Sequence, residues 1–348
     1  MESSTIRAYR AAENLYHRYL TGLILRTVVT RGTAEATELV FRLFRRQQQA
    51  TLLPGLKKLG LDGLPDAVAC AQYHYLSNYL GNVGVQYGYE SDRKAWVRYP
   101  PPRWIWDGTA ICGIPTEVSR AMLRGWHAHN GVTLGNPRLG FVCTMQTTDG
   151  QPGLEGYFYE YDHDLAPDER LRLAPQEESP ELDLAAMPAL DVTAWPQERR
   201  QRALRNYAMQ YVRNILPEMV TLFGPEDTAE LGRTTARLIG MQYYAETAAL
   251  LNISEQGATG FGAYMVGLGQ GQDDDTSARP AGNDVIVRQP TWRLMRDAGS
   301  LSPSVFDALN GLWEGALAVH DRFLSLEVAK RLDRGDDCFE WRIRRRVS

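Results

Sequence analysis

The sequence predicts an α+β protein built by tandem duplication of one domain. Each copy would be a helical N-terminal half followed by β-α-β-β with an antiparallel sheet, the two packed as a pseudo-dimer. Three observations carry this expectation. Residues 10–39 laid over 202–231 coincide at Arg10/Arg202, Ala11/Ala203, Asn14/Asn206, Tyr19/Tyr211, Val28/Val220, Gly32/Gly224, Glu38/Glu230 and Leu39/Leu231. "VRYPPPRW" (97–104) is answered by "VRQPTW" (287–292), and a further tryptophan follows each, Trp126 after Trp104 and Trp313 after Trp292. Each half then reaches an aromatic–Glu–aromatic triplet, Tyr159-Glu160-Tyr161 and Phe339-Glu340-Trp341, which the pattern equates. The same order of landmarks in both halves marks an internal repeat. The expected domains are 1–161, which holds most of the reactive side chains, and 198–348, the more degenerate copy. The Pro- and acid-rich stretch 162–197 between them reads as a linker or a strap laid over the surface.

Residues 5–31 carry apolar positions at helical spacing, with Gly32 as the C-cap. Thr33 is the expected N-cap of "AEATELVFRLFRRQQQ", and Pro65 suits the first turn of a third helix running through Tyr79. "WVRYPPPRWIW" reads as a strand whose prolines confine it to an edge or to a strand's beginning. "PTEVSRAMLRGWHAH" is a helix closed by Asn130-Gly131, residues able to take the left-handed cap conformation. "LGFVCTMQ" and "GYFYEYD" are paired strands about the turn "TTDGQPG". In the second half "VFDALNGLWEGALAVHD" is the helix, and "FLSLEVAKRL" and "CFEWRIRRRV" are the strands about "DRGDD". The Gly-rich run "GFGAYMVGLGQGQDDDTSARPAGND" reads as a mobile acidic loop, because no strand leads into a GxGxxG that opens a helix.

With 348 residues, 44% hydrophobic, 23% charged and a net charge of −4, the chain reads as a soluble two-domain protein. The mild acidity gives no electrostatic footprint for nucleic acid, and the basic run Arg342, Arg344, Arg345, Arg346 is explained by strand alternation and a chain end. No apolar run reaches the roughly 18–20 residues of a membrane span, since "LTGLILRTVV" is interrupted by Arg26. The N-terminal residues lack the apolar core of a signal peptide. Cys70, Cys112, Cys143 and Cys338 are few, widely spaced and without a CxxC pair. Reduced thiols in a cytoplasmic protein are therefore expected, with no metal and no cofactor.

The first half holds His17, His74, His127, His129, Cys70, Cys112 and Cys143, against His320 and Cys338 in the second. Cys70 and His74 lie one helical turn apart, where an imidazole can activate a thiol; the plainer alternative is a buried small residue with a solvated neighbour. His127 and His129 stand roughly 200° apart around a helix and cannot grip one ion, but either can act as a general base. Glu160 is either a structural ion pair or a pocket carboxylate. Asp107 and Cys112 fall in the segment that joins strand to helix, where ligand-facing loops tend to lie.

The C-terminal pattern Gly335, Asp336, Glu340, Trp341 resembles the L-2-amino-thiazoline-4-carboxylic acid hydrolase family and the related 4-vinyl reductase-like domains. In those families a Gly-Asp turn precedes a strand bearing Cys, an acid and an aromatic. Here Phe339 holds the cysteine's place and Cys338 sits one residue early, so the thiol would face the opposite side of the strand. The resemblance implies an α+β domain with a small-molecule pocket between helices and sheet, and water attacking a ring amidine carbon. On that reading His127 or His74 takes a proton, Glu160 or Asp107 orients it, and Cys112 or Cys70 is the candidate nucleophile. Trp104, Trp126, Tyr159 and Glu340 are the candidate binding residues. The expected function is hydrolysis or opening of a compact nitrogen-containing, amino-acid-like substrate. The alternatives are ring closure, with a partner enzyme or carrier protein docked on the degenerate half, and a non-catalytic small-molecule-binding or scaffold protein.

Overall fold

The computed structural model describes residues 2–81, 83–101, 109–191 and 193–346. It is α+β. The chain begins with α1 (Ser4–Arg31), then α2 (Thr33–Leu59), α3 (Asp66–Leu80), the hairpin β1 (Gln86–Ser91) and β2 (Lys94–Tyr99), α4 (Thr116–Gly125), α5 (Asn130–Leu134), β3 (Leu139–Met145), β4 (Leu154–Glu160) and the short β5 (Leu171–Leu173). It continues with α6 (Gln197–Phe223), α7 (Pro225–Leu250), α8 (Gly257–Gly271), β6 (Ser277–Ala281), β7 (Asp284–Gln289), α9 (Pro303–His320), β8 (Leu324–Lys330) and β9 (Phe339–Arg345).

Contacts divide the chain into residues 27–196 and residues 1–26 with 197–348. The grouping differs from 1–161, 162–197 and 198–348 at both ends of the first copy. Residues 1–26 pack with the second copy for visible reasons. The Tyr19 hydroxyl donates to the carbonyls of Gly232 and Ala308, each at 3.2 Å. Gly271 lies so close to α1 that an added Cβ would stand 2.3 Å from the Ala8 carbonyl oxygen.

The two units share one topology. Residues 27–196 carry a sheet of order β1-β2-β4-β3-β5, and the other unit a sheet of order β6-β7-β9-β8. Each sheet follows three helices in the chain, α1 to α3 and α6 to α8, and one helical connection joins its second strand to its third. Each copy is therefore β-β-α-β-β, with one more strand than the sequence pattern shows. β1 and β6 are short and largely exposed, so neither carries a long alternating run. A bulge recurs at the same place, between Cys143 and Met145 and between Val328 and Lys330. The hairpin turns match as well: Gly150 and Gly335 both take positive φ, at 82° and 94°.

Register corrects the equivalence of the two glutamates. Glu155 pairs with Arg98 across β2–β4, and Glu340 pairs with Arg288 across β7–β9. Glu340 thus corresponds to Glu155, not to Glu160. In both copies the pair is an ion pair, Arg98–Glu155 at 2.5 Å and Arg288–Glu340 at 3.4 Å. Burial pushes the Glu155 carboxyl up, but hydrogen bonds from Arg98, Ser179 and Thr144 hold it below the usual range.

The Gly-rich run is not a loop. Residues 257–271 are helix α8, and 277–281 are strand β6. Its glycines are needed for close packing: a Cβ on Gly269 would stand 2.1 Å from the Thr276 hydroxyl oxygen, and one on Gly262 2.9 Å from Val285. Close approach outweighs the helix-breaking tendency of glycine. Two of the three acids that follow are held. Asp273 accepts from Tyr9 and from the fully buried Arg205, and Asp274 accepts from Gln289, Thr291 and the Arg293 backbone N–H.

The segment 162–196 adds β5 to the sheet edge and then crosses the sheet's outer face. There Ala174 and Leu182 close a small apolar cluster with Trp96, Val142 and Tyr157. The helix expected over 115–129 also breaks. α4 stops at Gly125, residues 127–129 form a tight turn, α5 follows, and the left-handed cap is Gly135 rather than Asn130-Gly131.

Candidate functional site

α3 presents Cys70, Tyr73 and His74 on its buried face, one turn apart. The break after α4 turns His127 inward, and the N-terminus of α5 supplies Asn130. From the sheet come Phe141 on β3, Phe158 on β4 and Tyr99 at the end of β2. These side chains converge between the helices and the sheet of residues 27–196.

The His74 and His127 rings stack with centroids 4.0 Å apart and planes 14° from parallel. Phe158 continues the stack, 5.4 Å from His74, and Phe141 lies 4.6 Å from His127. Trp126 closes one side at 6.1 Å from His74 and itself stacks on Tyr73. His74 is hydrogen-bonded: the Asn130 amide donates to Nε2 at 3.2 Å, and Nδ1 lies 3.5 Å from the Tyr99 hydroxyl. An amide donor at Nε2 assigns the proton to Nδ1. Asn130 is in turn held by Gln48, whose amide donates to its oxygen at 3.3 Å.

His127 is different. It is only 6% exposed, and neither ring nitrogen has a hydrogen-bond partner. The Trp126 indole N–H beside it is buried and unpartnered too. A buried polar atom without a partner costs about 1–3 kcal/mol, so this corner of the core asks for a ligand or a water. Burial lowers the His127 pKa to about 3. Burial, and then the neighbouring His127, holds His74 well below the usual histidine range. Both imidazoles are neutral at pH 7.

The thiol of Cys70 is pushed up by burial, with Asp66 adding to the shift, and its hydrogen-bond partner is Asn130 rather than an imidazole. It is a neutral thiol, without the proton acceptor that nucleophilic activation needs. Cys112 is exposed on the turn Ile111–Gly113. Glu160 ends β4, where Arg138 binds it at 2.5 Å and Asn136 at 3.2 Å, so it is an ion-pair partner outside the histidine cluster. Tyr159 packs on the outer face against Tyr157 and Tyr161, opposite Phe158. Glu340 belongs to the outer face of the other sheet, beside Arg288. His129 turns away, its Nδ1 2.6 Å from the Arg124 carbonyl. Trp104 and Asp107 lie outside the described residues. The structure thus brings together His74, His127, Cys70 and Trp126. It adds Asn130, Tyr99, Phe141 and Phe158, which sequence reasoning missed. Asn130 was hidden by its place in "HNG", which reads as a helix cap.

In the second unit a small cavity of about 30 Å³ lies against Tyr16, Trp292, Phe306, Asn310, Phe339 and Trp341. That is room for one or two waters. Its amides already have partners, since Asn310 accepts from Trp341 and donates to Glu314, and Gln289 donates to Asp274. The ninth residue of α8, where α3 has His74, is Met265. Cys338 lies against the Arg288 guanidinium at 3.3 Å, while Phe339 lines the cavity. Among the described residues no cluster of His, Cys, Asp and Glu is arranged to hold a metal ion, and no helix is long and apolar enough to cross a membrane. Comparison with known family models and with curated proteins finds no match.

Proposed function

We propose that residues 27–196 form the small-molecule site of an enzyme acting on a compact, planar, nitrogen-containing, amino-acid-like substrate, with His127 as the group that meets it. The observation that carries this reading is the buried His127 ring with both nitrogens unpartnered, stacked on a His74 that Asn130 holds in place. The aromatic walls suit a flat heterocycle. The likeness of Gly335, Asp336, Glu340 and Trp341 to the aminothiazoline-carboxylate hydrolases supports the hydrolytic direction.

A neutral imidazole of low pKa is a weak base by itself. A substrate carboxylate beside it favours the imidazolium and raises the pKa toward working pH. His127 would then take the proton from an attacking water as its oxygen bonds to the ring amidine carbon and the C=N pair moves onto the ring nitrogen, which receives that proton. The new hydroxyl then gives up its own proton through His127 as a carbonyl forms, one ring bond at that carbon breaks, and the leaving ring atom takes the proton. Cys70, a neutral thiol hydrogen-bonded to an amide, is a wall of this site rather than its nucleophile. The low pKa of His127 also favours a second reading, a neutral hydrogen-bonding pocket that binds such a ligand without consuming it.

The test is incubation with L-2-amino-thiazoline-4-carboxylate and related cyclic amidines, with mass spectrometry for water addition and calorimetry for binding. The enzyme reading expects turnover that His127→Phe abolishes while the thermal midpoint stays. Saturable binding without conversion selects the second reading. Turnover unchanged in His127→Phe refutes the role of this residue.

A further inference from the structure

The two sheets differ at one edge, and the difference points to a docking surface. In residues 27–196 the outer edge of β3 is covered by β5, which runs parallel to it: Phe141 N–H donates to the Arg170 carbonyl at 2.9 Å, and Ala174 N–H to the Cys143 carbonyl at 2.8 Å. The strap then places Glu177 on the sheet's outer face, where Tyr157 and Arg172 donate to it at 2.5 and 2.8 Å.

The strand in the same place in the other unit is β8. It ends the sheet order β6-β7-β9-β8, so among the described residues no strand covers its outer edge. Leu326 pairs with Ile343 as Phe141 pairs with Phe158, which makes Leu326 and Val328 the counterparts of Phe141 and Cys143. The outer face has changed character. Where the strapped sheet has Trp96, Tyr157 and Val142, this one has Ile286, Arg342 and Glu327 in the same register. Arg344 stands beside them; Arg342 and Arg344 are each nearly half exposed, and among the described residues Arg342 pairs with Asp284 at 3.8 Å and Arg344 with Glu327 at 3.1 Å. Phe323, 53% exposed, sits at the head of the edge as an apolar anchor.

We infer that the β8 edge takes an extended acidic segment of a partner protein as an added parallel strand. Its backbone pairs with Leu326 and Val328, and its carboxylates reach Arg342 and Arg344. Strand addition supplies backbone hydrogen bonds, and the face supplies the choice of partner. The copy that keeps its own strap shows the geometry; the exposed arginines replace the aromatic cluster that an apolar strap requires.

A labelled peptide of residues 168–183, the chain's own acidic strap, is the probe, titrated into the full-length protein at low salt with anisotropy and amide exchange as readouts. Saturable binding that slows exchange at Leu326 and Val328 is expected. Arg342→Glu with Arg344→Glu weakens it at least about tenfold by charge reversal, and Arg342→Gln with Arg344→Gln weakens it less, with unchanged circular dichroism in both. Absence of saturation, protection confined to Phe141 and Cys143, or equal binding by the charge-reversed protein would overturn the inference.

Discussion

Acidification should unfold residues 27–196 through His127, and replacing that ring should remove the effect. Burial lowers its pKa to about 3, against about 6.5 in an unfolded chain. Because the folded value is the lower one, the unfolded chain binds more protons between these limits. The stabilisation is therefore complete above pH 6.5 and is lost as the pH falls toward 3. Between pH 7 and pH 5 this single group removes about 2 kcal/mol. His74, also held well below the usual range, acts in the same direction. His127→Phe keeps a flat ring in the stack between His74 and Phe141 and discards two unpartnered nitrogens. Its stability at pH 7 should match or exceed the parent's by about 1 kcal/mol, and its loss between pH 7 and pH 5 should be smaller by about 2 kcal/mol. Urea titrations at pH 7, 6 and 5, with matched m-values, measure both. A variant whose stability falls with pH as steeply as the parent's would refute a buried, neutral His127.

The two equivalent ion pairs should differ in weight. Glu155→Gln breaks a pair whose carboxylate is buried and triply bonded, and should cost about 2–4 kcal/mol, whereas Glu340→Gln beside the exposed Arg288 should cost under about 1 kcal/mol in thermal unfolding. Gly315→Ala forces a Cβ to within 2.0 Å of the Arg237 carbonyl oxygen where α9 crosses α7, and should lower stability by about 1–3 kcal/mol or prevent folding. Native alkylation followed by peptide mapping should label Cys112 first, because Cys70, Cys143 and Cys338 are buried; fast labelling of Cys70 would contradict the described core.

The internal repeat, helices α1 to α3 and α9, and the paired C-terminal strands of each copy were legible because they rest on local signals. Apolar residues one helical turn apart and Gly-containing turns between alternating runs leave their mark within a few positions. The reactive inventory of the first copy was legible as well, and His74, His127, Cys70 and Trp126 do meet in its core. Tertiary structure alone decided the rest. Equating Glu160 with Glu340 rested on an aromatic residue at either side of each, but the true counterpart of Glu340 is set by which residue lies opposite on the next strand, and a partner across a sheet leaves no trace in spacing. The glycines of α8 looked like a loop because helix propensity counts only the chain itself, whereas their need is set by Thr276, Val285 and Ala8 pressing on the helix from elsewhere. The inward turn of His127 and the amide that holds His74 came from the break after α4, and the grouping of residues 1–26 with the distant copy came from Tyr19, Gly232 and Ala308. Local pattern specifies an element's kind; contacts between residues far apart in sequence specify its register, its burial and its neighbours.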